Sequence, residues 1–224
     1  MGGQACVFYG AAEFSRDLDL LILAEPQNLD RFRSGLRDLA AEPIAVPPFD
    51  SRHLARGHAA HFRCHRKDVA GLRIDVMAVL RGVARFEELW SRRTTIEADG
   101  EPIDLLGIKD LVDAKKTQRD NWPMIRRLVE QSYFSSGGDA ALDRIEFWLR
   151  ELRTPELLVR MAEAHPSLAR DVAPHRPPVE AALRGDIAAV ERTLQAEEEE
   201  ERRRDREYWD PLKTELEGLR RAKH

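Results

Sequence analysis

The stretch Asp17-Leu18-Asp19-Leu20-Leu21-Ile22-Leu23 limits the fold more than any other part of the chain. As a strand it turns Leu18, Leu20 and Ile22 to one face and Asp17, Asp19, Leu21 and Leu23 to the other. Two carboxylates then share a side, two residues apart. Like charges that close raise each other's pKa unless a cation lies between them. The pair is therefore either solvated at the mouth of a strand or part of a metal site. A second run alternates more clearly: Leu72, Ile74, Val76 and Ala78 oppose Arg73, Asp75 and Met77. It places a third acid, Asp75, in the middle of an apolar strand.

The rest of the chain fits an α+β fold. A short helix is expected over about residues 4–10. An amphipathic helix over about 25–42 would bury Leu29, Phe32, Leu36 and Leu39, with Asn28 as N-cap. A short extended piece broken by Pro47 and Pro48 follows, then a strand near 58–65 and a short helix near 85–93. The segment 94–106 reads as a hairpin turning at Asp99-Gly100. Beyond Gly107 the pattern is helical, with Thr154 as N-cap ahead of Pro155 and a break at 135–139. Residues 173–180 read as a linker, with Pro178 starting the next helix. The predicted organisation is an α/β core at 1–106, a helical domain at 107–172 and a charged helical tail at 173–224.

Composition narrows the function. A hydrophobic share of 42% in 224 residues allows a real core, and a net charge of −4 argues against a protein that binds nucleic acid by bulk charge. Two cysteines suit a reducing compartment. No apolar run reaches the roughly 18 residues that span a bilayer, and the start lacks a signal-peptide pattern. A cytoplasmic protein without a membrane partner is expected.

Other clusters have plainer readings. His53, His58, His61, Cys64 and His65 crowd one segment. On a strand, however, His61 and His65 share a face that Cys64 leaves, so a polar strand face is favoured over zinc. The same segment carries Arg52, Arg56, Arg63, Arg66 and Lys67, which could meet a nucleic-acid backbone or simply face water. Trp90, Trp122 and Trp148 read as core. In the tail, glutamates precede arginines by three to four residues and support an isolated helix. The stripe Tyr208, Trp209, Leu212, Leu216 and Leu219 wants a partner, in this chain or in a second copy.

A Gly2-Gly3 pair, a short helix, Asp-x-Asp on one strand and Asp75 on another form a recognisable order. It resembles the polymerase-beta-type nucleotidyltransferase superfamily, in its minimal, abortive-infection toxin-like branch, over roughly the first 130 residues. The resemblance implies a small mixed or antiparallel nucleotidyltransferase sheet flanked by helices and followed by a helical C-terminal region. A strand precedes the glycines in that family. Here only Met1 does, so the core is expected to lack its usual first strand. Asp17, Asp19 and Asp75 would be the catalytic residues and would hold Mg²⁺, two ions being usual, with an NTP as substrate. Gly2, Gly3, Ser15 and Arg16 would contact the triphosphate. The block after Gly107 resembles the family's Lys-then-Arg-Asp segment, with Lys115 or Lys116, then Arg119 and Asp120, as the matching positions. A solvated basic helix face fits those residues as well.

The implied reaction moves an NMP from an NTP to an acceptor hydroxyl: a tRNA 3′ end, a protein side chain, or a small molecule of the aminoglycoside type. A toxin with an antitoxin partner, or a phage-defence role, follows by analogy alone. The rival reading is a catalytically silent module that keeps the fold and binds a partner. Self-association through the C-terminal helix fits either reading.

Overall fold

The alternating runs become strands where the alternation places them. The computed structural model of the chain describes residues 1–117, 121–136 and 140–222. The chain begins with helix α1 (Gly2–Phe8), strand β1 (Asp17–Leu21), helix α2 (Pro26–Asp38) and strand β2 (Ala41–Pro43). Helix α3 (Ser51–Ala55), strand β3 (Ala60–Cys64), a 3-10 turn at Lys67–Val69 and strand β4 (Arg73–Met77) follow. Helix α4 (Phe86–Ser91) leads to a hairpin of β5 (Thr94–Ala98) and β6 (Glu101–Leu105), and then to helix α5 (Ile108–Lys116).

Four strands form one mixed sheet in the order β1-β4-β3-β2. β1 runs parallel to β4, and β3 is antiparallel to both of its neighbours. One face is apolar: Ala60, Phe62, Cys64, Ile74 and Val76 pack with Leu29 and Leu36 of α2 and with Leu54 of α3. Leu18, Leu20, Phe32 and Leu39 close the edges of that core. Each fully buried aliphatic side chain contributes about 1.5–3 kcal/mol. That burial, rather than the short helices' own propensity, holds the layers together.

Charge ties α5 to the residue that ends α4, and a tyrosine ties the end of α1 to the hairpin. Arg92 forks onto buried Asp110 with two bonds of 2.7 Å. Tyr9 donates from its hydroxyl to the Leu106 carbonyl at 2.8 Å and meets the Thr94 hydroxyl at 2.9 Å.

The remainder is helical: α6 (Trp122–Phe134), α7 (Leu142–Glu151), α8 (Pro155–Ala164), α9 (Pro166–Val172), a 3-10 turn at Ala173–His175, α10 (Pro177–Leu183) and α11 (Ile187–Ala222). The contacts divide the chain into two units, Met1–Thr117 with Arg206–His224, and Gln118–Asp205. In the second unit Trp122, Leu128, Trp148, Leu149, Leu158 and Val179 are core residues. In the first, the end of α11 half-buries Tyr208, Trp209, Leu212 and Leu216. The Trp209 indole N–H reaches the Thr117 carbonyl at 3.4 Å, and Arg81 lies over the Tyr208 ring. Tyr208 and Trp209 of the stripe thus make contacts within their own chain. No helix among the described residues is long and apolar enough to cross a membrane.

Several local expectations need correction. α2 starts at Pro26 with Glu25 as N-cap, because proline's fixed φ and missing N–H favour the first helical position. Asn28 instead donates from its side chain to the Leu23 carbonyl at 2.8 Å. The segment expected as a linker holds the 3-10 turn and the first residues of α10, which begins at Pro177 rather than Pro178. Trp90 is 46% exposed, stacked on Phe86 with Arg93 over its face. Thr154 does occupy the N-cap of α8, but its hydroxyl bonds to Glu130 rather than to a backbone amide.

Candidate active site

The sheet's second face is polar, and strand register decides what meets there. Asp17 pairs with Arg73 and Asp19 with Asp75 across β1 and β4. His61 pairs with Asp75, and Arg63 with Arg73, across β3 and β4. Since alternate residues share a face, Asp17, Asp19, Arg73, Asp75, His61 and Arg63 lie on one side of the sheet. The two acids expected to work together, Asp19 and Asp75, are direct cross-strand neighbours.

Their surroundings differ. Asp75 Oδ1 accepts from Arg73 Nε at 2.8 Å and stands 2.8 Å from His61 Nδ1. Burial pushes this carboxyl up, but the bonds from His61 and Arg73 and their charges outweigh it, so Asp75 stays below the usual carboxylate range. Asp19 goes the other way. Burial raises it, the neighbouring Asp75 charge adds to that, and the Gly3 N–H and the Lys115 charge only partly offset it.

The N-terminal segment closes over Asp19. The Met1 ammonium donates to the Asp19 carbonyl at 3.0 Å, and the Gly3 N–H donates to Asp19 Oδ2 at 3.2 Å. Burial lowers the pKa of that ammonium despite the nearby Asp19 carboxylate. Gly2 has φ +70° and a Cβ there would stand 1.8 Å from Asp19 Oδ2, so no other residue fits without displacing the acid. A Cβ on Gly3 would meet Ser15 Oγ at 2.4 Å. The glycine pair therefore serves a close approach of α1 to β1.

The other expected contacts divide. Ser15 donates its hydroxyl to the Asp17 carbonyl at 3.0 Å. Arg16 is exposed and lies over the Phe14 ring at 5.9 Å. Lys115 is 7% exposed and directs its charge at Asp19, Cys6 and the Met1 ammonium. Lys116 pairs with Asp113 on its own helix at 2.9 Å. Of the two lysines, it is Lys115 whose charge acts on Asp19. Arg119 and Asp120 lie outside the described residues. The conceivable zinc set does not assemble, since Cys64 is fully buried in the apolar core and His61 is bonded to Asp75. In the basic segment, Arg52 pairs with Asp50, Arg56 with Glu215 and Arg66 with Asp68.

Two participants were not singled out from sequence. Arg73 was within reach, being two residues from Asp75 and so on its face. His61 required the β3–β4 register, which no local pattern encodes. The polar face has the oxygen donors that Mg²⁺ prefers, and Lys115 adds a positive charge beside them. The donor atoms of Asp17, Asp19 and Asp75 do not all lie within 4.8 Å of one another. Comparison of the chain with protein-family models, with curated proteins and with solved structures finds no match.

Proposed function

We propose that the chain is a Mg²⁺-dependent nucleotidyltransferase that moves an NMP from an NTP to an acceptor hydroxyl. The observation carrying this reading is the register that sets Asp19 opposite Asp75, two residues from Asp17, with Lys115 buried beside Asp19. Asp17, Asp19 and Asp75 would hold Mg²⁺, which supplies charge neutralisation for the triphosphate and the departing pyrophosphate. The acceptor oxygen attacks the α-phosphorus, the bond to the β-phosphate oxygen breaks and pyrophosphate leaves. Lys115, whose charge acts on Asp19, would balance that leaving charge. Asp75, held ionised by Arg73 and His61, would orient the acceptor hydroxyl and help take up its proton as the oxygen attacks. A tRNA 3′ end or a protein hydroxyl is the acceptor class, and a toxin or phage-defence role with an antitoxin partner follows from the resemblance.

One observation favours the silent-module reading. The bonds that Asp75 and Asp19 already make, from Arg73, His61 and Gly3, stand where a metal would draw the carboxylates. A calorimetric titration of each NTP with and without Mg²⁺ separates the two. Binding that needs Mg²⁺ and disappears in Asp19→Asn supports the transferase. Absence of Mg²⁺-dependent binding for all four NTPs rejects it and leaves the binding module.

A further inference from the structure

The first unit carries a second group of ligating side chains, away from the carboxylate face in sequence. His53 lies in α3, His58 in the approach to β3, and Glu215 near the end of α11. One donor atom from each lies within 4.8 Å of the other two, the one such group among the described residues. His58 is 2% exposed, and its Nε2 stands 2.9 Å from Glu215 Oε2. Arg56 Nη1 holds the other carboxylate oxygen at 2.7 Å. The His53 and His58 rings meet edge-on with centroids 6.0 Å apart. His53 Nδ1 is buried without a hydrogen-bond partner.

A salt bridge accounts for His58 and Glu215 but not for His53. A buried ring nitrogen left without a bond costs roughly 1–3 kcal/mol, and such groups in folded proteins call for a physical reason. Two imidazoles and one carboxylate, with no thiolate, form a donor set suited to a borderline divalent ion such as Zn²⁺, Co²⁺ or Ni²⁺. We propose that His53, His58 and Glu215 form a binding site for a zinc-type divalent transition-metal ion, separate from the aspartate face. Three protein ligands leave a fourth position to water. Arg56 stays on the free carboxylate oxygen and orients Glu215. Binding replaces the His58–Glu215 hydrogen bond, and the metal takes His58 through a ring nitrogen that carries no proton. The ion would pin the end of α11 to the α3–β3 connection, joining residues 157 positions apart.

The test uses the full chain, stripped with a chelator and titrated with Co²⁺ and then Zn²⁺, without NTP or Mg²⁺. Expected are one equivalent of Co²⁺ with visible d–d absorption, loss of that band on adding one equivalent of Zn²⁺, and a higher Tm in the Zn²⁺ form. His53→Ala, at a half-exposed position, is expected to weaken binding by roughly 10–100-fold with the metal-free Tm nearly unchanged. Glu215→Gln keeps the side-chain shape and gives an independent loss of the Co²⁺ band. Asp19→Asn is expected to leave the band intact. The proposal is overturned by absence of a stoichiometric Co²⁺ signal, by equal binding in His53→Ala and Glu215→Gln, or by a signal that follows Asp19 instead.

Discussion

Asp19 and Asp75 face each other across two strands and are driven in opposite directions by what touches them. Burial raises Asp19 with too little compensation, whereas Arg73 and His61 hold Asp75 down. The consequences for stability have opposite signs. A raised carboxyl binds its proton more tightly when folded, so stability falls as pH rises from the unfolded value, about 3.9, through the folded one. Asp19→Asn keeps an acceptor for the Gly3 N–H and removes that charge. It is expected to raise Tm at pH 7 by on the order of 2 °C, a gain that vanishes below about pH 3.9, while abolishing Mg²⁺-dependent NTP binding. Asp75→Asn strands Arg73 and His61 and is expected to lower Tm at pH 7. Asp75 stabilises above the unfolded pKa, and that contribution is lost as pH falls through the depressed folded value. Thermal melts of both variants from pH 3 to 8 check the contrast, and a fall in Tm for both at pH 7 would contradict it.

At the scale of single elements, the hairpin is the part where sequence and backbone agree most directly. Asp99 and Gly100 have φ of 53° and 80°, the paired left-handed conformations of a type I′ turn. Gly100→Ala is expected to cost about 1–2 kcal/mol, read as a lower denaturant midpoint with unchanged m. The second unit offers a test of opposite sense. Arg153 stacks on Trp122 at 4.0 Å, and its Nε and Nη2 are buried without partners. Burial also lowers its pKa, and Glu197 only partly offsets this. Arg153→Met keeps the packing and removes the buried charge, so Tm is expected to hold or rise, whereas Arg153→Ala is expected to lower it.

The same elements show what a sequence can reveal. The strands were legible because period-two alternation at Leu18–Leu20 and Ile74–Val76 is written into neighbouring residues. The aspartates were legible because Asp17 and Asp19 repeat that period. Register was not legible, being a tertiary choice, and so the His61–Asp75 bond was out of reach. The start of α2 lies earlier than the polar cap suggested, because Pro26 takes the first helical position ahead of Asn28. Trp90 was misread because apolar spacing does not say whether anything covers a helix face.

For the whole molecule, the division of α11 is the most consequential feature. The helix is continuous from Ile187 to Ala222, yet its residues up to Asp205 group with the second unit and those from Arg206 with the first. Its last turns supply the first unit with Tyr208 against Gly57, the Trp209 bond to Thr117 and the Glu215 pair with His58 and Arg56. A chain ending at Asp205 would leave His58 buried without its carboxylate and uncover half-buried apolar surface. The core of the second unit, built from α7, α8 and α10, would lose none of these contacts. Because protection from hydrogen exchange follows local stability, the effect should be confined to one unit. Amide exchange in β1, β3 and β4 is expected to speed up by at least about tenfold, the equivalent of about 1.4 kcal/mol, while α7, α8 and α10 exchange as in the full chain. Uniform acceleration in both units would mean that they unfold as one cooperative body, and unchanged exchange in the strands would mean that the end of α11 contributes nothing to the sheet that carries the aspartates.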